Sequence, residues 1–172
     1  MGILTGNQKL EPMHYGEVFG VWDHLFRAQG CLGKFQLLMN HAGDKDLKKF
    51  IGNLIDEVIT PETKNLENLL RDNGVPLPPG PQKRPIIDPE SIPAGARFMD
   101  MEVAACIYHD IAMGLTSSSK IISIATREDI AKLFAQHQAQ VVKYGGKLLQ
   151  LMKQKAWLTL PPVHSEPAKV EA

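Results

Sequence analysis

The sequence predicts an all-α protein, a four-helix bundle with a long proline-rich crossover between its second and third helices. Two stretches with helical spacing of apolar residues lie on either side of the segment 74–98, which holds seven of the twelve prolines. Proline fixes φ and removes a backbone donor, so this segment is predicted to be neither helix nor a good strand. A chain of 172 residues, 44% hydrophobic and 22% charged, is long enough for one substantial core.

The first stretch is predicted to hold two helices, over about 14–41 and 45–73. Asp44 is placed to cap the second helix, and Asn73 with Gly74 to stop it. Pro61 interrupts the second helix and is expected to kink it rather than end it, because the apolar stripe resumes beyond it. The predicted inward faces, at helical spacing, are Val18, Trp22, Leu25, Leu32 and Met39 in the first helix and Leu47, Ile51, Leu54, Val58, Leu66 and Leu69 in the second.

The second stretch is predicted to hold helices over about 99–125 and from about 127 to Trp157. The run from Thr126 to Asp129 has the composition of a helix cap. Residues 14–160 then form the bundle, 1–13 an N-terminal extension and 161–172 a flexible tail. The predicted inward faces are Val103, Cys106, Asp110, Met113, Ser117, Ile121 and Ile124 in the third helix and Ile130, Phe134, His137, Val141, Tyr144, Leu148 and Met152 in the fourth.

The length of the crossover selects the topology. A helix of about 28 residues is about 42 Å long, and about 14 residues of polyproline-like chain cover that distance. The crossover can therefore run the length of the bundle, which makes the second and third helices parallel. This is the ferritin-like arrangement with one long crossover. An up-down bundle with a long disordered loop is the alternative.

Ferritin-like bundles often hold two metal ions, bound by a Glu from each of two helices and by Glu-x-x-His from each of the other two. None of the predicted helices contains that pair. His137 is preceded at the required spacing by Phe134, and Glu62 is followed by Asn65. The pattern therefore predicts neither the usual metal cofactor nor a catalytic residue.

Other ligands on or near the inward faces are Asp110, His137 and Glu62, which are the candidates for an iron, manganese or zinc site. Counting outward from the loops places Glu62 level with His24 and away from His137, with Asp110 about 7 Å along the axis from His137. That separation argues against one metal site shared by all three residues. The alternative is that His137 bonds to Ser117 or a backbone carbonyl, and that Asp110 has another partner.

Two acid–histidine neighbours in the sequence, Asp23 with His24 and His109 with Asp110, do not form acid–base pairs by themselves. Adjacent side chains point to different faces of a helix. We therefore predict surface or boundary positions for these residues.

Charge and composition exclude several partners. The chain has 19 basic and 19 acidic residues, which gives no electrostatic footprint for nucleic acid or an anionic membrane. No apolar run approaches the length of a membrane span. Cys31 and Cys106 lie far apart without metal or redox spacing, which is typical of reduced thiols in a cytoplasmic protein.

An ordered series of motifs covers about residues 10–164. The sequence resembles, through these motifs, a family of ferritin-like helix bundles from endospore-forming bacteria, some of which are described as candidate spore coat proteins. The resemblance implies the ferritin-like fold and a place in the spore coat, and it supplies no catalytic residues. The motifs are the proline-rich run 74–85, Ile-Pro-Ala-Gly-Ala-Arg at 92–97, Arg-Glu-Asp-Ile at 127–130, Tyr-Gly-Gly-Lys-Leu-Leu at 144–149, and the run 155–162.

Three hypotheses about function follow. The first is a non-enzymatic structural or interaction protein, associated with the spore coat. The second is a metal-binding or redox protein with a divergent site around Asp110 and His137. The third is self-association through an apolar helix face around Trp22.

Overall fold

The computed structural model describes residues 11–162 and residue 164, and the described part of the chain contains helices and no strand. Residues 1–10, 163 and 165–172 lie outside it, as do the predictions of an extension and a tail that fall there. The helices are α1 (Tyr15–His41), α2 (Lys45–Leu54), a π-helical turn (Ile55–Ile59), α3 (Thr60–Asp72), a short 3-10 turn (Pro89–Ser91), α4 (Asp100–Ile124) and α5 (Glu128–Gln154).

The segment from α2 through the π turn to α3 is one continuous rod, so the four predicted helices are confirmed. Asp44 caps α2 as expected, because its carboxylate accepts the backbone N–H groups of Asp46 and Leu47. Gly74 ends α3 with a positive φ of 69°. At the start of α1, His14 is the cap, and its ring accepts from the N–H groups of Gly16 and Glu17.

The crossover, residues 75–99, lies along α1 and runs in the same direction. Near its beginning the indole N–H of Trp22 donates to the carbonyl of Pro76 (3.0 Å). Near its end the backbone N–H of Phe98 donates to the ring of His41 (3.1 Å). α4 therefore begins beside the start of α2, and the two are parallel, as the ferritin-like topology requires.

Each end of the bundle is closed by hydrogen bonds between elements. At one end Asp100 accepts the N–H groups of Gly43 (2.7 Å) and Asp44 (3.2 Å). Lys155, just beyond α5, forms an ion pair with Asp44 (2.7 Å) at the same end. At the other end Glu17 of α1 accepts the backbone N–H of Thr126 (2.8 Å) between α4 and α5.

The core consists of two apolar clusters, one toward each end of the bundle. A polar layer lies between them, because Glu62 and His137 fall between cluster residues on their own helices. The main members of one cluster are Phe35, Leu38, Leu47, Ile51, Leu54, Val58, Ile107, Ile111, Val141 and Tyr144. Those of the other are Val21, Leu25, Leu66, Leu70, Ile121, Ile130 and Phe134.

The predicted inward faces are correct for α5 and, apart from the half-buried Leu69, for the rod of α2 and α3. On α1 and α4 they are correct only in part, since Leu25, Val103 and Ile121 are buried and the other predicted residues are not. On α4, Met113 is 58% exposed and Ile124 is 39% exposed, while Ile107 and Ile111 are buried. Apolar residues lie nearly all round α4, so their spacing does not fix which face is buried. On α1, Trp22 faces the crossover and is only half-buried.

The cap predicted at the run from Thr126 to Asp129 is wrong in its chemistry. Arg127 is the N-cap residue of α5, and no side chain there caps the helix. Thr126 instead donates to Glu17, and the guanidinium of Arg127 pairs with Asp129 (2.6 Å) and bonds Asn73 (2.7 Å). The polar residues of this run connect elements instead of capping α5.

Candidate functional site

The polar layer contains a compact cluster of three ligand-type side chains, each from a different helix. His24 of α1 and Glu62 of α3 are buried, and the side chain of His137 of α5 is 10% exposed. The Nε2 atoms of His24 and His137 each lie 2.7 Å from Oε1 of Glu62. All three potential ligand atoms lie within 4.8 Å of one another.

The π turn before α3 brings Glu62 into this layer. It widens one turn of the helix, and the N–H of Thr60 bonds to the carbonyl of Ile55. Across the wider turn, one row of buried residues keeps a spacing of four, beside the buried Ile59 and Thr63. The row is Leu54, Val58, Glu62, Leu66 and Leu70. The fold therefore places a carboxylate where continued apolar packing would otherwise lie.

His24 is held by contacts on both sides of its ring. Its Nδ1 lies 2.9 Å from the hydroxyl of Ser117 on α4. The ring of Phe134 meets it edge-on, with centroids 5.0 Å apart and an interplanar angle of 89°. The ring of His137 lies nearly perpendicular to it at 5.7 Å. α4 and α5 therefore fix the orientation of a side chain that belongs to α1.

The two histidines keep Glu62 ionised. Burial alone would raise its pKa, but the hydrogen bonds and charges of His137 and His24 lower it below its ordinary value. Each imidazole donates its Nε2–H to the carboxylate. The Nδ1 of His24 is bonded to the hydroxyl of Ser117, which can accept or donate, so both nitrogens of this ring have partners.

A cavity of about 310 Å³ opens beside the cluster, and its apolar lining comes from α1, the end of α2, the π turn, α4 and α5. Asp110 lies on its wall but is paired with Lys34 (2.8 Å). Cys31 lies there as well, and burial together with the nearby Asp110 raises the pKa of its thiol to about 11. Cys31 is therefore a thiol and a weak nucleophile at neutral pH.

The structure brings together Glu62 and His137 but leaves Asp110 outside the cluster. Loop counting correctly placed Glu62 level with His24, and wrongly placed it away from His137. The surface or boundary position predicted for His24 is wrong, because it is buried and bonded to Glu62. Ser117 bonds to this histidine instead of to His137. The signal that could have placed His24 correctly is its helical spacing from Val21 and Ala28, which are buried on the same face of α1.

These residues do not fit the two-metal centre of ferritin-like bundles. That centre uses a carboxylate from every helix and two histidines, whereas a single carboxylate stands among the three clustered ligands here. The one Glu-x-x-His spacing in the chain, Glu11 to His14, precedes α1, where His14 serves as its cap.

A second feature is on the surface of α1, where four aromatic side chains follow one another at helical spacing. We call this the aromatic face, and it consists of Tyr15, Phe19, Trp22 and Phe26. Tyr15 is 94% exposed, Phe19 68% and Phe26 50%. Trp22 and Phe26 stack, with ring centroids 5.8 Å apart. Contiguous exposed aromatic surface of this kind marks interaction sites.

Within residues 11–162, no helix combines the length and the hydrophobicity that a bilayer span needs.

Comparison with solved structures supports the topology. A candidate spore coat protein from Bacillus halodurans C-125 superposes with a TM-score of 0.88 and is 46% identical, covering 91% of this chain and 98% of that one. The ferritin-like part of a two-domain protein from Anabaena variabilis ATCC 29413, which also has a DJ-1/ThiJ/PfpI-like domain, shares the fold. Its TM-score is 0.66 at 18% identity, over 91% of this chain and 42% of that one.

Comparison of sequences identifies the family. The uncharacterised protein YvdQ of Bacillus subtilis strain 168 is 44% identical over 164 residues, which is 95% of this chain and 96% of YvdQ. Residues 1–170 match a family described as "Protein of unknown function (DUF3231)". The bundle described above, with its crossover along α1, is therefore a member of the DUF3231 family.

Proposed function

We propose that this protein is a non-enzymatic structural or interaction protein of the spore coat, and that it binds a coat protein through the aromatic face of α1. The observation that carries the proposal is the exposure of Tyr15, Phe19 and Phe26 on one side of one helix. Tyrosine, tryptophan and phenylalanine are enriched at protein interfaces and supply most of the affinity where they are buried.

The partner is a protein rather than a nucleic acid or a lipid surface. The chain has zero net charge, so it offers no general attraction for phosphate groups. The charged residues at this face are already paired, because Arg27 bonds Asp23 at 2.8 Å. What the face offers is apolar area, which a protein surface can cover.

The spore is proposed from similarity. The Bacillus halodurans protein is described as a candidate spore coat protein, and it matches this chain over nearly the whole of both sequences. The ordered motifs of the sequence support the same location.

Localisation during sporulation tests the proposal. The chain, fused to a fluorescent protein, is expressed in sporulating Bacillus subtilis from which YvdQ has been deleted. We expect fluorescence on the forming spore. The variant with Tyr15→Ser, Phe19→Ser and Phe26→Ser is expected to stay in the surrounding cytoplasm.

The matched control changes exposed apolar residues on other helices. Met113 is 58% exposed and Val142 is 57% exposed, and Met113→Ser with Val142→Ser should leave the localisation unchanged. Diffuse fluorescence of the unaltered chain throughout sporulation would contradict the spore location. Normal localisation of the triple variant would contradict the role of the aromatic face.

Light scattering of the purified protein tests whether a second copy of the chain, instead of another protein, covers the aromatic face. A monomer excludes self-association and leaves the face for another protein. A dimer that the triple variant abolishes would instead make a second copy the occupant of this face.

A further inference from the structure

We propose that His24, Glu62 and His137 form a binding site for a single divalent transition-metal ion, with zinc or ferrous iron as the fitting class. This inference goes beyond the proposed function, because it concerns the buried layer and not the surface. It also differs from the two-metal centre of the fold, which the donors here do not fit.

The donor atoms suit this class of ion. Two imidazole nitrogens and one carboxylate oxygen converge from α1, α3 and α5, within 4.8 Å of one another. Such mixed nitrogen and oxygen sets bind zinc and ferrous iron, whereas calcium and magnesium prefer oxygen ligands alone. Three donors from three helices cannot come together by local sequence spacing, so the fold itself assembles the set.

The two nitrogen–oxygen distances are close to those around a bound ion, and the two histidine nitrogens, which lie within 4.8 Å of each other, would approach to about 3.3 Å. Donors about 2.0–2.1 Å from a tetrahedral ion lie about 3.3 Å apart. The two histidine nitrogens are each 2.7 Å from Oε1 of Glu62, which is hydrogen-bond distance. An ion between them would widen each of these separations by about half an ångström, which side-chain rotation can supply.

The protons of the two rings are accounted for. Binding needs a free Nε2 on each ring, so a neutral imidazole carries its proton on Nδ1 and a protonated imidazole releases its Nε2 proton to solvent. For His24 the Nδ1 proton faces the hydroxyl of Ser117 at 2.9 Å. A hydroxyl both accepts and donates, so Ser117 supports His24 with the ion and without it. The charge of Glu62 offsets part of the charge of the ion.

The surroundings hold the donors in place. Ser117 and the edge of Phe134 fix the ring of His24, in the manner of the outer-shell contacts that orient metal-binding histidines. The layer is enclosed between two apolar clusters. The low polarity of these walls strengthens the attraction between a cation and the single carboxylate.

The adjoining cavity gives the ion an open coordination position. Three protein ligands leave a four-coordinate ion with one place for water or another small molecule. His24, Glu62 and His137 all line the cavity of about 310 Å³, whose other walls are mainly apolar. A small ligand could therefore reach the ion from this side.

The competing explanation is that Glu62 and the two histidines form only a buried hydrogen-bonded ion pair. Titration separates the two. Protein without a histidine tag is treated with EDTA, dialysed, and titrated with zinc sulfate by calorimetry, followed by elemental analysis. We expect about one zinc per chain. Magnesium chloride under the same conditions should give no binding.

Variants assign the ion to the cluster. His24→Ala and His137→Ala should each lower zinc affinity at least tenfold, and the double variant should abolish binding. Ser117→Ala should weaken it about 10- to 100-fold through loss of ring orientation. Asp110→Asn is the matched control, because Asp110 lies on the same cavity but is paired with Lys34. It should leave zinc affinity unchanged.

Cobalt supplies a readout that needs no variant. Cobalt(II) in a four- or five-coordinate site of nitrogen and oxygen ligands absorbs visible light far more strongly than hydrated cobalt. The unaltered protein should give that band at about one equivalent, and zinc should displace it. Absence of zinc binding and of the cobalt band would overturn the proposal, as would full zinc affinity in the folded double variant. Neither result bears on spore localisation, so this proposal and the proposed function fail separately.

Discussion

At the scale of single residues, Glu17 joins the start of α1 to the connection between α4 and α5. It is fully buried and accepts the backbone N–H groups of Thr126 (2.8 Å), Arg127 (2.9 Å) and His14 (3.1 Å). Burial alone would raise its pKa, but these hydrogen bonds lower it below the ordinary value. An ionised carboxylate therefore holds three backbone donors, of which that of Arg127 belongs to a buried residue.

Glu17→Gln should lower the free energy of unfolding by about 2–3 kcal/mol, because an amide replaces a charged acceptor of several N–H groups. Glu102 is the matched control. It occupies the same capping-box position on α4, but it is exposed and bonds only the N–H of Met99 within its own helix end. Glu102→Gln should cost about 0.5 kcal/mol. Urea unfolding checks both, and equal costs would contradict the structural role of Glu17.

The same residue predicts acid sensitivity. The folded pKa of Glu17 lies below its ordinary value of 4.5, so its stabilising contribution is present above pH 4.5 and is lost as the pH falls through the folded pKa. Urea unfolding between pH 7 and pH 3 should therefore show a shallower acid loss for Glu17→Gln than for the unaltered chain. Parallel curves would show that other carboxylates account for the acid sensitivity.

Residue-level prediction from the sequence succeeds where periodicity is informative. Glu62 and His137 were expected on inward faces and lie there. His24 was missed because a histidine next to Asp23 is more typical of a surface, and only its buried neighbours reveal otherwise. Asp110 lies outside the cluster because it pairs with Lys34 of another helix, and one sequence does not show which helices meet.

At the scale of elements, the π turn allows α2 and α3 to be one rod despite Pro61. The helix continues through the proline, as predicted, with the widened turn directly before it. Beyond the turn Leu66 is buried as predicted, whereas Leu70 is buried where Leu69 was expected. A regular helical repeat was assumed across the whole rod, and no sequence pattern announces one wider turn.

Deletion of Asp56, an exposed residue of the π turn, should destabilise the protein by more than about 3 kcal/mol. Each residue accounts for about 100° of helix rotation, so removing one rotates the buried face of α3 away from that of α2. Asp56→Ala keeps the length and should change the free energy of unfolding by about 0.5 kcal/mol or less. If the deletion is as stable as this control, then the extra residue does not set the register.

At the scale of the whole molecule, the crossover determines the relative directions of the helices, because it makes α2 and α4 parallel. Its existence and span were predictable, because proline content and helix length are properties of the sequence. Its position against α1 was not, since it depends on two isolated hydrogen bonds. The backbone N–H of Arg84 donates to the side-chain oxygen of Gln36 (2.8 Å), and the side-chain amide of Asn40 donates to the carbonyl of Pro85 (2.9 Å). Isolated polar residues of this kind do not form a repeating pattern.

Two glycines on α1 test whether the crossover packs closely against this helix. Gly30 has open space where a Cβ would stand, whereas a Cβ at Gly33 would lie 3.2 Å from the ring of Pro81. Gly30→Ala should stabilise the protein by about 0.5–1 kcal/mol through the backbone entropy of glycine. Gly33→Ala should gain less or lose stability, because it pushes against the crossover. Thermal unfolding measures the difference, and equal gains would indicate that the crossover does not press on α1.

The two connections that close opposite ends of the bundle also give the molecule a polarity. α1 begins at the end where Glu17 meets Thr126, while α5 finishes at the end where Lys155 meets Asp44. The first residue of α1 and the last residue of α5 are thus about 40 Å apart along the bundle, which is the length of α5. A circular permutant that joins the end of α5 to the start of α1 would therefore need at least about 12 extended residues between them.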